Sequence, residues 1–242
     1  MTGGRSEGRM ATETIANSAR TEILRGIRAA KGGASSAASA EAGWAAIERK
    51  YNRVSSRSRE DVLELLEERL RDYDAQVMRV RLDDIATTVA RMMSERGVQR
   101  VVVPAGLKME WLPSGVEFVF YSEDGDRRNG DSGGDALTAA ELDGMDGVMT
   151  GATVAIAETG TVVLQNTAGQ GRRAVTLVPD YHLCVVQVKD VVETVPEAME
   201  RLKGSATLAT TFVSGPSATA DIEMTRIKGV HGPRFLDVIL AG

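Results

Sequence analysis

The sequence has 242 residues, 43% of them hydrophobic, and a formal net charge of −5, which gives enough length to bury a sizeable core. The acidic balance argues against general nucleic-acid binding, which needs a basic surface, and no apolar run approaches the roughly 20 residues of a membrane span. The single cysteine, Cys184, excludes an intrachain disulfide and a zinc or iron–sulfur cluster ligated by cysteines of this chain. We therefore expect a cytoplasmic protein without a metal site of its own.

The first part of the chain is predicted to be a helical extension. The spacing of Ile23, Leu24 and Ile27 predicts a short amphipathic helix between Glu13 and Lys31, and the run GGASSAAS from Gly32 to Ser39 predicts a flexible linker. We therefore divide the chain into an N-terminal segment, residues 1–40, and a single domain, residues 41–242. The helix either packs on its own domain or docks on a neighbouring subunit, which makes a homo-oligomer possible.

Helices and short apolar strands alternate through the rest of the chain. Ser58 with Asp61, and Thr194 with Glu197, have the spacing of capping boxes that begin helices, and an apolar stripe at helical spacing ends at Gly97. The predicted strands are Ala75–Val80, Val101–Val103, Val116–Tyr121, Val154–Ala157, Thr161–Leu164, Val175–Val178, Leu183–Val188, Thr210–Val213 and Leu236–Leu240. The alternation predicts an α/β fold with a mostly parallel sheet covered by helices. Residues 122–135, polar and rich in glycine, are predicted to form a surface loop.

The segment AETGT contains a carboxylate at the end of a predicted strand. Glu158 stands two residues before Gly160, and a glycine beside a carboxylate lets a substrate approach closely, so Glu158 is a candidate nucleophile or base. Alternatively, Glu158 bonds the turn amides or pairs with a nearby arginine. Structural ion pairs are commoner than catalytic carboxylates.

A glycine-rich loop with paired positive charges follows. Gly169, Gly171, Arg172 and Arg173 could bind a phosphate or carboxylate through backbone amides and a guanidinium fork. The pattern is not a dinucleotide-binding fingerprint, because a strand is predicted after it where that fingerprint needs a helix. A hairpin loop with solvated arginines is an equally good interpretation.

A second candidate anion site follows the strand Thr210–Val213. Its ligand-binding candidates are Ser214, Gly215, Ser217 and Thr219. Small residues between a strand end and a helix start leave free N–H groups for an anion, and ligands often bind beyond the carboxyl ends of strands. Alternatively, Ser217 or Thr219 only caps a helix that contains Ile222.

The chain has two histidines. His231 has glycine at positions 229 and 232, which indicates an exposed turn where an imidazole titrates near neutrality; a structural role is the alternative. His182 precedes an apolar strand and is expected to be structural. Cys184 is expected to be a buried small apolar residue.

Four segments in this order, AETGT, GQGRRAVTLVPDYHLCVV, SGPSATADIE and KGVHGPR, resemble the LUD-domain family, also called lactate-utilisation protein C. The resemblance extends from about Tyr51 to the C-terminus. It implies a fold like that of the ribose-phosphate isomerase, glucosamine-phosphate deaminase and CoA-transferase group. It also implies a part in oxidising L-lactate to pyruvate together with iron–sulfur partner proteins, and it names no cofactor.

The resemblance suggests one composite site for a small carboxylate or phosphate ligand. In it Glu158 or His231 would move protons, Arg172 and Arg173 would neutralise the anion, and the loop amides at Gly215 and Ser217 would bind a second oxygen group. Two alternatives remain. The protein could be a non-catalytic assembly subunit of the lactate-oxidising complex. It could also be an acyl- or CoA-transferring enzyme, since Glu158-Thr159-Gly160 matches the catalytic Glu-X-Gly of CoA-transferases.

Overall fold

The computed structural model describes residues 18–30, 37–114, 118–122, 136–219, 227–229 and 231–242. Backbone contacts divide the chain into two units, residues 1–51 and 52–242. The first unit contains helix α1 (residues 18–30) and helix α2 (Ala37–Ala46). Helix α1 carries the predicted apolar stripe, whereas α2 occupies the end of the predicted linker because its alanine-rich sequence favours a helix. Residues 13–17 and 31–36 of these two predictions lie outside the described residues.

The second unit alternates helices with strands and then becomes rich in strands. Its helices are α3 (Arg59–Asp72), α4 (Ile85–Arg96), α5 (Ala139–Asp143) and α6 (Val195–Leu202). Its strands are β1 (Gln76–Val80), β2 (Arg100–Val103), β3 (Val119–Ser122), β4 (Gly147–Gly151), β5 (Val154–Ile156), β6 (Thr161–Gln165), β7 (Tyr181–Gln187), β8 (Val191–Val192), β9 (Thr210–Val213), β10 (Ala218–Thr219), β11 (Ile227–Lys228) and β12 (Phe235–Ala241).

The main sheet has six strands in the order β1-β12-β7-β4-β2-β3, and every neighbouring pair is parallel. Its central strands are buried on both faces. Cys184 and Val238 pack in a cluster with α3, while Leu183 and Ile239 pack in a cluster with α4. Such two-sided burial is typical of parallel sheets covered by helices. The predicted α/β fold class is therefore confirmed.

A smaller sheet lies beside the main one, with strand order β8-β5-β6-β9. Strand β6 pairs antiparallel with both β5 and β9, and one face packs against α6 through Ile156 and Val163. The antiparallel pairing of β9 bears on the anion site that was predicted in the loop after it. The rule that ligands bind beyond the carboxyl ends of strands concerns parallel sheets, and β9 does not belong to the parallel sheet.

The helix ends follow the local sequence signals. Both capping boxes are present, with the side chain of Ser58 accepting from the Asp61 amide and that of Thr194 accepting from the Glu197 amide. Gly97 ends α4 in the left-handed conformation, with φ of 68°, which glycine adopts at little cost. These three predictions are confirmed.

The predicted strand Val175–Val178 is wrong, because these residues form consecutive turns. The carbonyl of Arg172 accepts from the Val175 amide at 3.1 Å, and that of Ala174 accepts from the Val178 amide at 3.0 Å. The apolar character of this run is explained by Val175, whose side chain is fully buried. A short apolar run does not distinguish a strand from a buried turn.

Two further expectations differ from the fold. The predicted helix beginning at Ser217 or Thr219 is wrong as far as residue 219, because Ala218 and Thr219 form β10 and pair antiparallel with β11; Ile222 lies outside the described residues. Strand β3 begins at Val119 rather than Val116, and positions 116–117 and 123–135 also lie outside them.

Candidate functional site

A pocket of about 250 Å³ lies at the amino ends of β7 and β12, facing β9. It brings together five of the predicted site residues and one that was expected to be structural. The predicted residues in its wall are Arg173, Ser214, Gly215, Ser217 and His231, and the additional one is His182. Residues distant in sequence therefore meet where two parallel strands begin.

Arg173 is held in the pocket wall by the turn that precedes β7. Its Nη1 donates to the Thr176 hydroxyl at 3.2 Å, and that hydroxyl donates back to the Arg173 carbonyl at 3.2 Å. Thr176 is buried, which fixes the turn, whereas Arg173 is exposed. Among the residues that the structure describes, no carboxylate forms an ion pair with Arg173. Its charge is therefore available to an anion in the pocket.

His182 is the second residue of β7 and is 2% exposed. Its Nε2 lies 2.8 Å from the hydroxyl of Thr150, and its Nδ1 forms no hydrogen bond with any described residue. Burial, helped by the charge of Arg173, lowers the pKa of His182 to about 4. The imidazole is therefore neutral at pH 7 and has one N–H.

The hydroxyl and backbone of Ser217 tie two of the sequence motifs together. The Ser217 amide donates to the Pro233 carbonyl at 2.8 Å, and its carbonyl accepts from the Gly229 amide at 3.0 Å. Its hydroxyl accepts from the His231 amide at 3.1 Å. The SGPS turn and residues 231–233 therefore form one wall of the pocket, with His231 exposed at its edge.

Gly215 allows this turn to pack closely on the end of α3. Its φ is 80°, and a Cβ added there would lie 2.4 Å from the Cβ of Tyr73. No other residue fits this conformation and space without displacing the turn or the helix. Thr219 belongs to β10, and only its backbone is described.

The AETGT turn lies next to the pocket but does not line it. Glu158 is exposed, and its amide donates to the Glu193 carbonyl at 3.0 Å. The turn reaches the pocket through hydroxyls: Thr159 Oγ1 and Ser214 Oγ each lie 2.7 Å from Thr161 Oγ1. Gly160 packs on α3, because a Cβ there would be 2.8 Å from the Cβ of Arg69. Neither Glu158 nor Gly160 is among the described residues that line the pocket.

The GQG loop packs against the residues that follow β2. The Gly169 amide donates to the Ala105 carbonyl at 2.7 Å, and the Gly171 amide donates to the Thr167 carbonyl at 3.3 Å. The Arg172 guanidinium donates to the Leu137 carbonyl. These amides already have backbone acceptors, and none of Gly169, Gly171 and Arg172 lines the pocket.

A second pocket, of about 430 Å³, lies at the same ends of the strands. The two arginines that line it are engaged: Arg96 pairs with Asp237 and Arg100 with Asp146, at 2.7 and 2.8 Å. Because Arg173 has no such pairing among the described residues, the first pocket is better suited to bind an anion.

Sequence reasoning missed His182 and Thr176 as parts of the pocket wall and Thr150 as the residue bonded to His182 behind it. His182 was expected to precede the strand because the strand was predicted to begin at Leu183 rather than at Tyr181. The available signal for His182 was its polar side chain at the start of a buried parallel strand. The described residues include no group of three His, Cys, Asp or Glu side chains that could hold a metal ion. Their helices are also too short or too polar to cross a membrane.

Comparisons with known proteins agree with this fold. The LUD domain matches residues 63–241. Lactate utilization protein C of Deinococcus radiodurans is 41% identical over 187 residues, which cover 76% of this chain and 82% of the relative. Lactate utilization protein C of Anoxybacillus flavithermus is 26% identical over 177 residues, covering 73% and 78%.

A solved structure gives the same result. The crystal structure of a DUF162 family protein from Deinococcus radiodurans superposes with a TM-score of 0.64 at 37% identity. The match covers 77% of this chain and 99% of the solved chain. With the LUD domain spanning most of the sequence and a curated relative at 41% identity, the chain belongs to the LUD domain family.

Proposed function

We propose that this protein takes part in lactate utilisation and that the pocket around Arg173 and His182 binds a small carboxylate. One observation supports the proposal above all others: the Arg173 guanidinium has no carboxylate partner among the described residues and shares the pocket with a neutral, buried imidazole. An arginine recognises a carboxylate through two parallel hydrogen bonds. The names of the relatives supply the lactate connection.

The chemistry of a 2-hydroxy acid suits these groups. Arg173 would neutralise the carboxylate, and the Nδ1 of His182 would hydrogen-bond an oxygen of the ligand. The turn at Ser214, Gly215 and Ser217 would close the other side of the pocket. His231, exposed at the edge, would exchange a proton with solvent. A pocket of about 250 Å³ has room for such a small acid.

Oxidation of lactate to pyruvate also needs an electron acceptor. The chain has one cysteine, whereas an iron–sulfur cluster is held by four ligands, usually cysteines. We therefore propose that the electrons pass to iron–sulfur partner proteins in the cytoplasm.

A second candidate function is that of a non-catalytic assembly subunit. Helix α1 exposes Ile23 and Ile27, which are 63% and 47% accessible, and an exposed apolar stripe is a common docking element. In that role α1 would bind a partner protein or a second copy of this chain.

The test is growth on L-lactate of a bacterial host lacking its own LUD protein, complemented with wild type or single variants. The pocket proposal predicts that Arg173→Gln abolishes growth although iron–sulfur partners still co-purify with the variant. Normal growth of Arg173→Gln contradicts the proposal and favours the assembly role. Glu158→Gln belongs in the same series: lost growth with intact lactate binding would assign Glu158 a role outside ligand recognition.

A further inference from the structure

The buried pair formed by Thr150 and His182 lies behind the pocket. Thr150 is in β4, beside the β7 residues His182 and Cys184, and its side chain is fully buried. Its Oγ1 lies 2.8 Å from Nε2 of His182. The ring is 2% exposed, and this is the one side-chain hydrogen bond that it forms with a described residue. The sequence assigns no role to Thr150.

The direction of this hydrogen bond decides what His182 offers to a ligand. A neutral imidazole has one N–H, and the nitrogen that accepts from a neighbour cannot carry it. If Thr150 donates to Nε2, the proton lies on Nδ1. If Nε2 donates to Thr150, then Nδ1 is a bare acceptor. Only the first arrangement adds a donor to the positive charge of Arg173.

The surroundings favour donation by Thr150. The neighbouring Cys184 is also buried, and burial raises the pKa of its thiol to about 12, so it stays protonated. That thiol donates to the Gly151 carbonyl, with a sulfur–oxygen distance of 3.6 Å. The Thr150 hydroxyl also contacts the Cys184 side chain, but a thiol sulfur is a weak acceptor. The unprotonated imidazole nitrogen is therefore the strongest acceptor that the described residues give this hydroxyl.

We infer that Thr150 is a positioning residue for His182: its hydroxyl donates to Nε2 and thereby places the ring proton on Nδ1, the nitrogen left for the ligand. The tautomer follows from the protein alone, whereas its consequence for binding rests on the proposed function of the pocket. The arrangement is suited to an anionic oxygen, to which Nδ1–H and Arg173 both donate.

Nitrogen-15 NMR of the full-length protein at pH 7 tests the tautomer without any ligand. The chain has two histidines, so a His231→Asn variant assigns both ring systems. The inference predicts a protonated Nδ1 and an unprotonated Nε2 for His182. It also predicts altered His182 signals in Thr150→Val and wild-type-like signals in Thr150→Ser. A protonated Nε2 in the wild type, or unchanged signals in Thr150→Val, would overturn it.

Titration with L-lactate supplies the second arm. Loss of one positioned hydrogen bond should weaken binding by Thr150→Val about 3- to 10-fold, and Thr150→Ser should restore it to within about 2-fold of wild type. Thr88→Val, at a buried threonine of α4 outside the pocket, is the matched control and should bind as wild type. Should the wild type fail to bind lactate, the pocket proposal fails, while the NMR experiment still decides the tautomer. Equal affinities of wild type and Thr150→Val would overturn the positioning role.

Discussion

The hydroxyl of Ser217 accepts a hydrogen bond from the backbone amide of His231 at 3.1 Å. This contact joins two residues that are 14 positions apart along the chain and fixes the exposed His231 at the edge of the pocket. The candidate site therefore depends on a backbone arrangement as much as on its charged side chains.

Ser217→Ala removes this contact and keeps the backbone bonds of residue 217. We expect the affinity for L-lactate to fall about 2- to 10-fold, as for the loss of one hydrogen bond, because His231 and Gly232 lose an anchor. The melting temperature should change little, since the wall is at the surface. Ser94→Ala, on an exposed position of α4, is the control. Unchanged lactate affinity in Ser217→Ala would show that the Ser217 hydroxyl does not position the pocket.

Asp237 is fully buried and accepts hydrogen bonds from Arg96 at 2.7 Å and from the Tyr181 hydroxyl at 3.0 Å. Replacing Arg96 by alanine leaves a buried carboxylate without its cation, which costs about 3–5 kcal/mol of unfolding free energy in comparable cases. Urea denaturation measures the loss. Arg100→Ala, which breaks the exposed pair with Asp146, should have a much smaller effect.

A double variant distinguishes two causes of that loss of stability, an unpaired charge and lost packing. Asp237→Asn combined with Arg96→Ala removes both charges, and we expect it to be more stable than Arg96→Ala alone. If the double variant is less stable than the single one, the destabilisation comes from lost packing of Arg96 on Phe235, where the guanidinium lies 4.7 Å from the ring centre, and not from an unpaired charge.

His182 makes stability depend on pH. Burial lowers the pKa of His182 from 6.5 to about 4 in the folded protein, so the unfolded chain binds the proton more tightly. The free energy of unfolding should therefore fall as the pH decreases from about 6.5 to about 4, by about 3 kcal/mol for this group. Below that range its contribution stays constant. His182→Gln should flatten this part of the profile, and an unchanged profile in that variant would assign the pH dependence to other groups.

Glu193 holds the segment that leads into α3. One of its oxygens, Oε2, accepts from the Ser55 hydroxyl at 2.6 Å and from the amides of Ser56 and Arg57 at 2.9 and 3.2 Å. These bonds lower the pKa of the Glu193 carboxyl, and the bond from Ser55 has the largest effect. Glu193→Gln weakens them, so we expect faster trypsin cleavage at Arg53 and Arg57 under native conditions. Glu158→Gln, on the neighbouring turn, should be cleaved at the wild-type rate.

The predictions from sequence were confirmed where a feature is determined by residues close together in the chain. The capping boxes at Ser58 and Thr194 and the glycine that ends α4 involve residues within a few positions of each other, so their patterns identify them. The parallel sheet followed from the alternation of helices and short apolar strands.

The rest depends on contacts between distant residues. The run Val175–Val178 is apolar because Val175 is buried beneath the turn, and sequence alone could not distinguish that from a strand. Strand β4 was missed because it begins and ends with glycine; a Cβ at Gly147 would lie 2.8 Å from the Tyr181 ring. The roles of His182 and Thr150 appear only when β4 and β7 are paired.

We propose that Arg173 and His182 bind a small carboxylate in the pocket that they line. Isothermal titration of the full-length protein with L-lactate and with pyruvate tests it most directly, comparing wild type, Arg173→Gln and the control Arg91→Gln on the exposed side of α4. We predict saturable binding by wild type and Arg91→Gln, and binding weakened about 10- to 100-fold in Arg173→Gln by the loss of charge-assisted hydrogen bonds. Equal binding by wild type and Arg173→Gln, or no binding of either acid by wild type, would contradict it.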